Sequence, residues 1–495
     1  MNNSLGFYKF KNAISTPITG LLYGIIVLFY QVIYVIVPLR MEISGSSLSL
    51  ISPLLAIAGL FLLIMTLLTD PERFVRREML IPWLMILVLC VTTVLNWDKS
   101  LVDNIKTIIW QGNLLLLIFS SCISIGESTK ERFDINNKTA VVRIARIAIL
   151  LLLLIWDIAI IVSLVQYYDL VYYRVTSTEG FINQGVNGGR LFGVFITPYK
   201  SALLSLYMLV ASALCLMMIE GRIRYFYLLS FFLSVTMIVL SGTRSVLLGM
   251  LSASLIIISM FFSDCIFKNR ITKPVFCILV SVLVAIAVTL FIGLMLLEYG
   301  NALKNSARMI NREKVQIIEQ NSGYDLLERS DVNRENISNN RFYIWYDYMQ
   351  IFAEEPRIIL LGYSPCGFME YISANYPDRY IVKYYHDNKP YEYYCRHEIY
   401  DPHNTPILVL ISTGLVGLIL LLVLVFYTLK RIFVYYRAGR FRVADYCALA
   451  VLITTFTAIM FESDIFYLCN TTSLVFWMTL GFVLGRTEQT VKTQH

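Results

Sequence analysis

The chain alternates between long apolar runs and short polar stretches. Each of about twelve apolar runs has roughly 17–25 residues, enough to cross a hydrocarbon core of about 30 Å as a helix. This pattern is typical of a protein whose helices pass repeatedly through a lipid bilayer. The spans are predicted near residues 18–38, 48–69, 79–96, 107–125, 143–166, 194–219, 223–240, 245–262, 274–297, 405–429, 443–461 and 468–485.

One polar segment is far longer than an ordinary connection between helices. It covers residues 298–404 and divides the chain into a membrane domain over residues 1–297, an extracytoplasmic loop subdomain, and a second membrane part over residues 405–495. Within it, residues 341–352 carry large apolar and aromatic side chains on most faces, which predicts a helix that lies in the membrane interface or packs on the membrane domain. Tyrosines crowd residues 371–400, where their rings suit either sugars or the membrane interface.

Composition supports the membrane interpretation, and charge orients the bundle. The chain has 57% hydrophobic residues, 15% charged residues and a mean hydropathy of +0.66, which no soluble globular protein needs. Its net charge of +7 does not indicate a nucleic-acid partner, because Lys and Arg fall mainly in short loops on one side of the bundle. Both termini are therefore predicted to be cytoplasmic. Outside the long loop, the outer side has few cations, namely Arg40, Lys99, Lys106, Arg174, Arg190 and Arg244.

The nine cysteines give no sign of a metal site. They are scattered along the chain without a CxxC motif and without metal-ligand spacing to histidine. We therefore expect neither a metal nor a cofactor. Cys366 and Cys395 share the long outer loop, where oxidising surroundings would allow a disulfide between them, and the sequence leaves this pairing open.

A histidine and an asparagine stand where the long polar loop meets an apolar helix. His403 and Asn404 are followed by Pro406, which suits the first turn of a helix because its missing N–H needs no partner there. Further along, Gly414 and Gly417 would let another helix approach closely. The pattern fits either a reactive site at the mouth of the helix or simply a helix start followed by a packing face.

Two arginine motifs lie at predicted outer helix ends. Arg244 is held in the short turn Ser241–Ser245, where Ser241 or Thr243 can cap the next helix and the helix N-terminus adds partial positive charge. The planar guanidinium suits a phosphate there, although an arginine that only anchors a helix end is the alternative. Arg190, which follows two glycines, is a second candidate for an anion site, and the alternative is that the Gly-Gly pair marks only a flexible loop.

Three carboxylates have two interpretations each. Asp157 lies well inside a predicted span, where a carboxylate is either functional or paired with a neighbouring helix. Glu462 and Asp464 close the outer end of a late span. They either form salt bridges with an active-site arginine or are solvated.

Together these motifs resemble the bacterial O-antigen ligase and O-antigen polymerase (Wzy-type) superfamily. The resemblance rests on Gly-Arg-x-x-Gly-x-Phe-x-x-Pro in 189–198, Ser-Gly-Thr-Arg-Ser in 241–245, Arg341 with Trp345, Pro356 and Gly362, and Pro-His-Asn…Gly-Leu-Val-Gly in 402–417. The motifs keep the family's order and rough spacing, and they cover about 185–420. The chain departs from the pattern at Tyr199-Lys200, where the family often has Asn after the proline, and in the longer tyrosine-rich loop between 363 and 400.

The resemblance implies a GT-C-like, all-α polytopic membrane bundle of about twelve transmembrane helices with a large, partly helical extracytoplasmic loop. It also implies glycosyl transfer on the outer face of the bacterial cytoplasmic membrane, from a glycan on undecaprenyl diphosphate to a glycan or lipid-linked acceptor, with inversion and without a metal. Arg244 and Arg190 would hold the diphosphate, with Ser241 and Thr243 in the same binding turn. His403 would accept the proton of the attacking hydroxyl. Asn404 would orient His403 or bind substrate, and Arg341 would contact the diphosphate or the glycan.

Three functions remain open at this point. A polymerase would build O-antigen, capsule or exopolysaccharide from repeat units, with a chain-length regulator and a flippase as further partners. A ligase would move finished glycan to lipid A or another acceptor, and the shared motifs do not separate the two. A twelve-span transporter is the third, but no internal repeat is visible and the large loop lies on the wrong side for a major-facilitator protein.

Overall fold

A computed structural model describes residues 16–44, 50–129, 140–177, 180–268, 274–316, 327, 340–387 and 401–488 of the chain. The helices of the first half are α1 (Pro17–Val35), α2 (Val37–Ser44), α3 (Ile51–Thr69), α4 (Leu80–Leu95), α5 (Leu101–Gly112), α6 (Phe119–Ser128), α7 (Ala140–Tyr168), α8 (Pro198–Met218), α9 (Arg224–Ser241), α10 (Arg244–Lys268) and α11 (Pro274–Ile310). Those of the second half are α12 (Arg341–Glu354), α13 (Pro356–Leu361), α14 (Gly367–Asn375), α15 (Tyr380–Asp387), α16 (Thr405–Arg437), α17 (Val443–Ile459) and α18 (Thr471–Thr487).

The all-α membrane bundle predicted from the apolar pattern is confirmed. Each predicted span coincides with a helix, and α5 and α6 form one span through a π-helical segment at Asn113–Ile118. Within the described ranges, 10 helices are long and apolar enough to cross a membrane. The last two predicted spans, α17 and α18, have 17 residues each and fall just short of that length. The chain is an integral membrane protein.

A small antiparallel sheet precedes α8, and nothing in the apolar pattern predicts it. Its strands are β1 (Tyr172–Ser177), β2 (Gly180–Asn187) and β3 (Arg190–Gly193), in the order β1-β2-β3. Gly188 and Gly189 form the two-residue turn between β2 and β3 with φ of 52° and 68°. A hairpin turn with positive φ at both central residues favours glycine. The Gly-Gly pair is therefore a tight turn and not a flexible loop, and the sixth span begins at Pro198.

This sheet is joined to the first helices of the chain by main-chain hydrogen bonds. The helix breaks at Ile36, between α1 and α2, and Ile36 pairs with Phe195 in an isolated bridge. The Val37 amide donates to Val194 O at 2.8 Å, and the Ile196 amide donates to Val35 O at 3.0 Å. The ends of α1 and of the sheet are thereby fixed against each other.

Helix α11 continues well past the end of its predicted span at residue 297. Its 37 residues measure about 55 Å at 1.5 Å per residue, which exceeds a hydrocarbon core of about 30 Å. The projecting part is tied down, because the hydroxyls of Ser306 and Tyr168 share a hydrogen bond at 3.3 Å. The polar stretch that was predicted to begin the long loop is thus partly a continuation of this helix.

The four short helices of the loop subdomain pack on the first turns of α16. Helix α12, predicted either to lie in the interface or to pack on the membrane domain, buries Tyr348 and Ile351 in a shared core. Its other face, with Phe342 and Tyr346, is exposed. We call the end of the bundle that carries this subdomain the loop end. The core contributed by α16 comprises Ile407, Leu408 and Ile411.

A break in α16 is the point where the loop subdomain enters the membrane domain. Gly414 has φ 66° and ψ −166°, a conformation that essentially only glycine adopts. The freed carbonyls of Ile411 and Ser412 accept hydrogen bonds from the amides of Tyr363 at 2.8 Å and Ser364 at 2.9 Å. A Cβ at Gly414 would lie 2.4 Å from Leu360 O. The close approach predicted at this glycine is therefore made by the end of α13.

The cysteine pairing left open by the sequence falls partly outside the described residues. Cys366 is a free thiol with its Sγ 3.7 Å from Thr107 Oγ1. Cys395 lies outside the described ranges, as do Tyr391, Tyr393, Tyr394 and Tyr400 of the tyrosine-rich stretch.

Two buried ion pairs connect separate helical segments at the end of the bundle opposite the loop end. Arg431 Nη1 of α16 lies 2.8 Å from Glu78 Oε1, and the two side chains are only 7% and 4% exposed. Arg486 of α18 pairs with Asp445 of α17 and donates to Thr129 O at 2.9 Å. A buried charge without such a partner would be strongly destabilising, so these pairs fix which helices lie together.

Candidate active site

The start of α16 is anchored by Asn404, the N-cap of that helix. Its Oδ1 accepts from the Ile407 amide at 3.0 Å, and its Nδ2 donates to Met460 O at 2.9 Å. Its own amide donates to Ser463 Oγ at 3.1 Å. Asn404 was predicted to orient His403 or to bind substrate. The structure instead commits both ends of its amide group to the backbone, so it positions the chain and does not contact the imidazole.

His403 is held in a conformation that a residue other than glycine rarely adopts. Its φ is 45°, in the left-handed region. The His403 amide donates to Asp401 Oδ1 at 2.8 Å, and Trp345 Nε1 donates to Pro402 O at 2.9 Å. Strained backbone of this kind persists where the surroundings fix it, and it is frequent at functional sites.

The imidazole of His403 forms a hydrogen-bonded pair with Glu462. The distance from Nδ1 to Glu462 Oε2 is 2.9 Å, and Arg341 donates to the other carboxylate oxygen. The side chains are 35%, 14% and 22% exposed for His403, Glu462 and Arg341. Of the two interpretations of Glu462, the structure supports the salt bridge with an arginine. Nothing in the sequence indicated that Glu462 also contacts the histidine, which lies 59 residues earlier.

Burial and charge act in opposite directions on this pair. Burial tends to lower the pKa of His403, but the hydrogen bond and the negative charge of Glu462 outweigh it, so that the pKa is raised above its usual range. Burial tends to raise the pKa of Glu462, but His403 and Arg341 outweigh it, so that the pKa is lowered. When His403 is neutral, its Nδ1–H donates to the carboxylate and Nε2 is left as a proton acceptor.

A second ion pair lies two residues further along the same segment. Lys200 Nζ is 2.5 Å from Asp464 Oδ1, and Asn470 Nδ2 donates to the same oxygen at 3.3 Å. Burial raises the pKa of Asp464, while the positive charge of Lys200 opposes that effect. Asp464 therefore pairs with a lysine and not with an active-site arginine. Lys200 stands at a position where the chain departs from the family pattern.

The turn between α9 and α10 is built by Ser241. Its hydroxyl donates to Ile238 O at 2.7 Å and accepts from the Thr243 amide at 3.3 Å. Ser241 is fully buried, and Gly242 closes α9 with φ 61°. The substrate-binding role of Ser241 stays a prediction, and in the structure its hydroxyl holds the turn together. Arg244 begins α10 and is exposed.

Arg244 lies at the loop end of the bundle, at about the depth of Met460. Helices α10 and α17 cross closely where Thr454 Oγ1 donates to Gly249 O at 3.3 Å. Arg244 precedes Gly249 by about 7 Å along its helix, and Met460 lies about 9 Å beyond Thr454 along the other. Since Met460 O binds the Asn404 side chain, Arg244 and the start of α16 occupy the same layer of the molecule.

Arg190 is the first residue of β3, directly after the Gly188-Gly189 turn, and it is half-buried. Because β3 leads straight into α8, which carries Lys200, Arg190 also lies at the loop end. Asp157 lies elsewhere, buried in α7, where it accepts a hydrogen bond from Ser230 of α9. Its place between two helices favours the pairing interpretation.

The site combines a proton acceptor with several cations. Arg341, Lys200, Arg190 and Arg244 lie at the same end of the bundle as the His403–Glu462 pair. Within the part of the chain that the structure describes, no three His, Cys, Asp or Glu side chains come together as metal ligands. A group that can remove a proton from a hydroxyl therefore lies at the same end of the bundle as cations that can stabilise an anion.

Residues 229–422 match the family model of the O-antigen ligases. The matched region runs from α9 to the first half of α16, and it includes Arg244, Arg341 and His403. Glu462 and Arg190 lie beyond its limits. Among curated proteins, none matches this chain.

Proposed function

From the premise that this chain belongs to the O-antigen ligase and polymerase superfamily, we propose that it is a membrane glycosyltransferase that polymerises oligosaccharide repeat units carried on undecaprenyl diphosphate. The product would be O-antigen, capsule or exopolysaccharide. The observation that carries this proposal is the hydrogen-bonded pair of His403 and Glu462, joined by Arg341, at the start of α16.

The His403–Glu462 pair acts as the general base. Glu462 holds Nδ1–H, so Nε2 accepts the proton of the attacking sugar hydroxyl. The hydroxyl oxygen then forms the new bond to the anomeric carbon, while the bond from that carbon to the diphosphate oxygen breaks. The diphosphate leaves with the electron pair. Attack opposite the leaving group inverts the anomeric configuration.

Arginines at the loop end hold the diphosphate in this proposal. Arg244 is exposed in the first turn of α10, where the helix N-terminus adds partial positive charge. Arg190, at the tight turn before β3, supplies a second guanidinium. Arg341 already donates to Glu462 and so links the base to the anion site. These fixed charges stabilise the leaving group without a metal ion.

The same proposal puts the enzyme in the bacterial cytoplasmic membrane with both termini in the cytoplasm. The loop end then faces outward, where lipid-linked repeat units arrive after a flippase has moved them. A chain-length regulator would act on the growing product. The loop subdomain, packed over α16, would cover the acceptor glycan.

A ligase is the second candidate, because the matching family model describes O-antigen ligases. The chemistry of base and arginines is the same. Only the acceptor differs, which would be lipid A or another acceptor in place of a second lipid-linked repeat unit.

The deciding experiment incubates purified protein with a lipid-diphosphate-linked repeat unit as the only substrate, in the presence of EDTA, and separates the products on a gel. We expect a ladder of chain lengths for the wild type and for Arg222→Ala, which changes an exposed arginine at the opposite end. His403→Ala and Arg244→Ala should lose it. Products that appear only after an acceptor lipid is added would identify a ligase. Unchanged substrate under every condition would refute the proposal that the protein is a glycosyltransferase.

A further inference from the structure

The outward side of the loop subdomain is apolar. On α12, Phe342, Tyr346 and Met349 follow each other at helical spacing on the face turned away from the shared core, and they are 65%, 62% and 47% exposed. On the adjoining α13, Leu360 and Leu361 are 58% and 44% exposed. A surface in contact with water rarely presents so many large apolar side chains together, so this patch indicates an interaction surface.

The end of α13 lies at the depth of the hydrocarbon core. Lys430 is the first charged residue of α16, and it lies about 24 Å along that helix from Gly414. A hydrocarbon core is about 30 Å thick, and a tilt of the helix only shortens the distance it covers across the membrane. With Lys430 at one surface of the core, Gly414 lies inside the other surface. Leu360 packs directly against Gly414, so the end of α13 shares this depth.

The apolar patch is continuous with surfaces that face lipid. Val416 and Ile419 of α16, just past the break, are exposed to the surroundings of the bundle. The end of α4 meets the end of α13, because Asn96 Nδ2 donates to Gly362 O at 3.4 Å. The next residue, Trp97, is exposed, and exposed tryptophan is typical of the boundary between hydrocarbon and water. Both segments that contact the end of α13 therefore present side chains to the bilayer.

Helix α12 runs from the candidate active site toward this depth. Its first residue, Arg341, is bound to Glu462, and Trp345 Nε1 donates to Pro402 O just before α16 begins. At its other end, only Glu355 separates it from α13, whose six residues measure about 9 Å. The aromatic face of α12 thus passes through the interfacial layer of the membrane, where rings with a polar tip are favourable.

We propose that the outward face of α12 and the end of α13 are inserted in the bilayer leaflet at the loop end. The partner of this surface is lipid, with acyl chains against Leu360 and Leu361 and the headgroup region against Phe342 and Tyr346. Since α12 carries Arg341 at its start, the lipid contact sets the height of a candidate site residue above the membrane. The proposal holds for a polymerase and for a ligase alike.

Arg357 fits this placement. It is exposed in the first turn of α13, before the two leucines that enter the core. An arginine at the edge of the hydrocarbon can extend its guanidinium to the lipid phosphates while its methylene groups stay among apolar neighbours.

The test introduces the photocrosslinking residue p-benzoylphenylalanine in place of Tyr346 or Leu360 in the full-length protein, reconstituted in phosphatidylcholine nanodiscs. Leu290, exposed on the spanning part of α11, is the positive control, and the exposed Asp378 of the loop subdomain is the negative control. We expect irradiation to add the mass of one phospholipid at Tyr346 and Leu360, with a yield close to that at Leu290. Intact-mass spectrometry measures the adducts.

Every other occupant of the patch gives a different product and overturns the proposal. A crosslinked dimer would assign the surface to a second copy of the chain. A crosslink to another part of the long loop would mean that the chain itself covers the patch. A lipid adduct no more abundant than at Asp378 would place the patch in water.

A second measurement is independent of crosslinking and uses a conservative substitution. Tyr346→Trp adds a tryptophan at the patch, and Asp378→Trp adds one outside it. In vesicles of phosphatidylcholine with brominated acyl chains, which quench nearby tryptophan, the quenched fraction of the total fluorescence should be larger for Tyr346→Trp than for Asp378→Trp. Both variants should unfold at the wild-type temperature. Equal quenching in the two would contradict the proposal.

Discussion

A single hydrogen bond determines which nitrogen of His403 is available for chemistry. Because Glu462 binds Nδ1, the neutral imidazole carries its proton there and keeps the lone pair on Nε2. The positive φ of His403 and the bond from its amide to Asp401 fix the direction of the ring. The carboxylate thus acts through the histidine and is a positioning residue in the proposed mechanism.

Replacing Glu462 with Gln should change the pH dependence of the reaction as well as its rate. His403 acts as a base only when unprotonated, so activity rises as pH increases through its raised pKa. Removing the negative charge lowers that pKa and moves the acid limb to lower pH. We expect the maximal rate to fall by about 10²–10⁴-fold. Initial rates of chain formation across pH 5–9 measure both effects, and an acid limb that stays in place would argue against the pair.

Arg244→Lys separates diphosphate binding from helix anchoring. A lysine keeps the charge but lacks the planar fork that binds two phosphate oxygens at once. We expect a loss in kcat/KM of about tenfold or more, equivalent to about 1.4 kcal/mol. Arg222→Lys, an exposed arginine at the other end, is the matched control. Full activity in Arg244→Lys would mean that the residue only anchors the end of α10.

At the scale of elements, the break in α16 is the most demanding feature of the fold. Gly414→Ala combines a disfavoured backbone conformation with a collision, because the new Cβ would lie 2.4 Å from Leu360 O. We expect a lower apparent unfolding temperature, equivalent to about 1–3 kcal/mol or more. Gly439→Ala is the control, since Gly439 has nearly the same φ, 65°, but nothing within 4 Å of the added carbon. Equal falls in unfolding temperature for the two substitutions would show that the contact with α13 does not contribute to the effect of Gly414→Ala.

The elements that sequence could predict are those with a strong apolar pattern. Long runs of Leu, Ile and Val identify α3, α7 and α16 directly, whereas β1, β2 and β3 have at most eight residues and an indistinct alternation. The one available signal was Gly188-Gly189 between two strand-like stretches, a known hairpin sequence. The extension of α11 was missed because a polar helix in water leaves no apolar signature.

At the scale of the whole molecule, the parts of the site that sequence could not supply are the long-range partners. The motifs identify His403, Arg341 and Arg244 one by one. They do not reveal that Glu462 meets His403 and Arg341 across 59 and 121 residues, or that Lys200 meets Asp464 across 264. A single sequence contains local patterns, and such contacts arise only when the helices pack.

The buried pair of Glu78 and Arg431 should matter for the stability of the whole bundle. Arg431→Met would leave Glu78 buried without its cation, which typically costs about 3–5 kcal/mol. We expect a clear fall in the apparent unfolding temperature of the purified protein. The double variant Glu78→Met/Arg431→Met should recover most of it, because neither charge then remains. No recovery would show that packing around Arg431, and not its charge, is what stabilises this end.

The close backbone contact at Gly362 and Gly414 limits where recombination or protein engineering can divide the chain. A Cβ on Gly362 would collide with Ser412 O, and one on Gly414 with Leu360 O, so each glycine is required by the backbone opposite it. The two positions therefore form one unit that recombination should not separate. A chimera that takes the loop subdomain from a relative must also take α16 to a point beyond Gly414. A junction at residue 404 would separate the end of α13 from the part of α16 that packs against it.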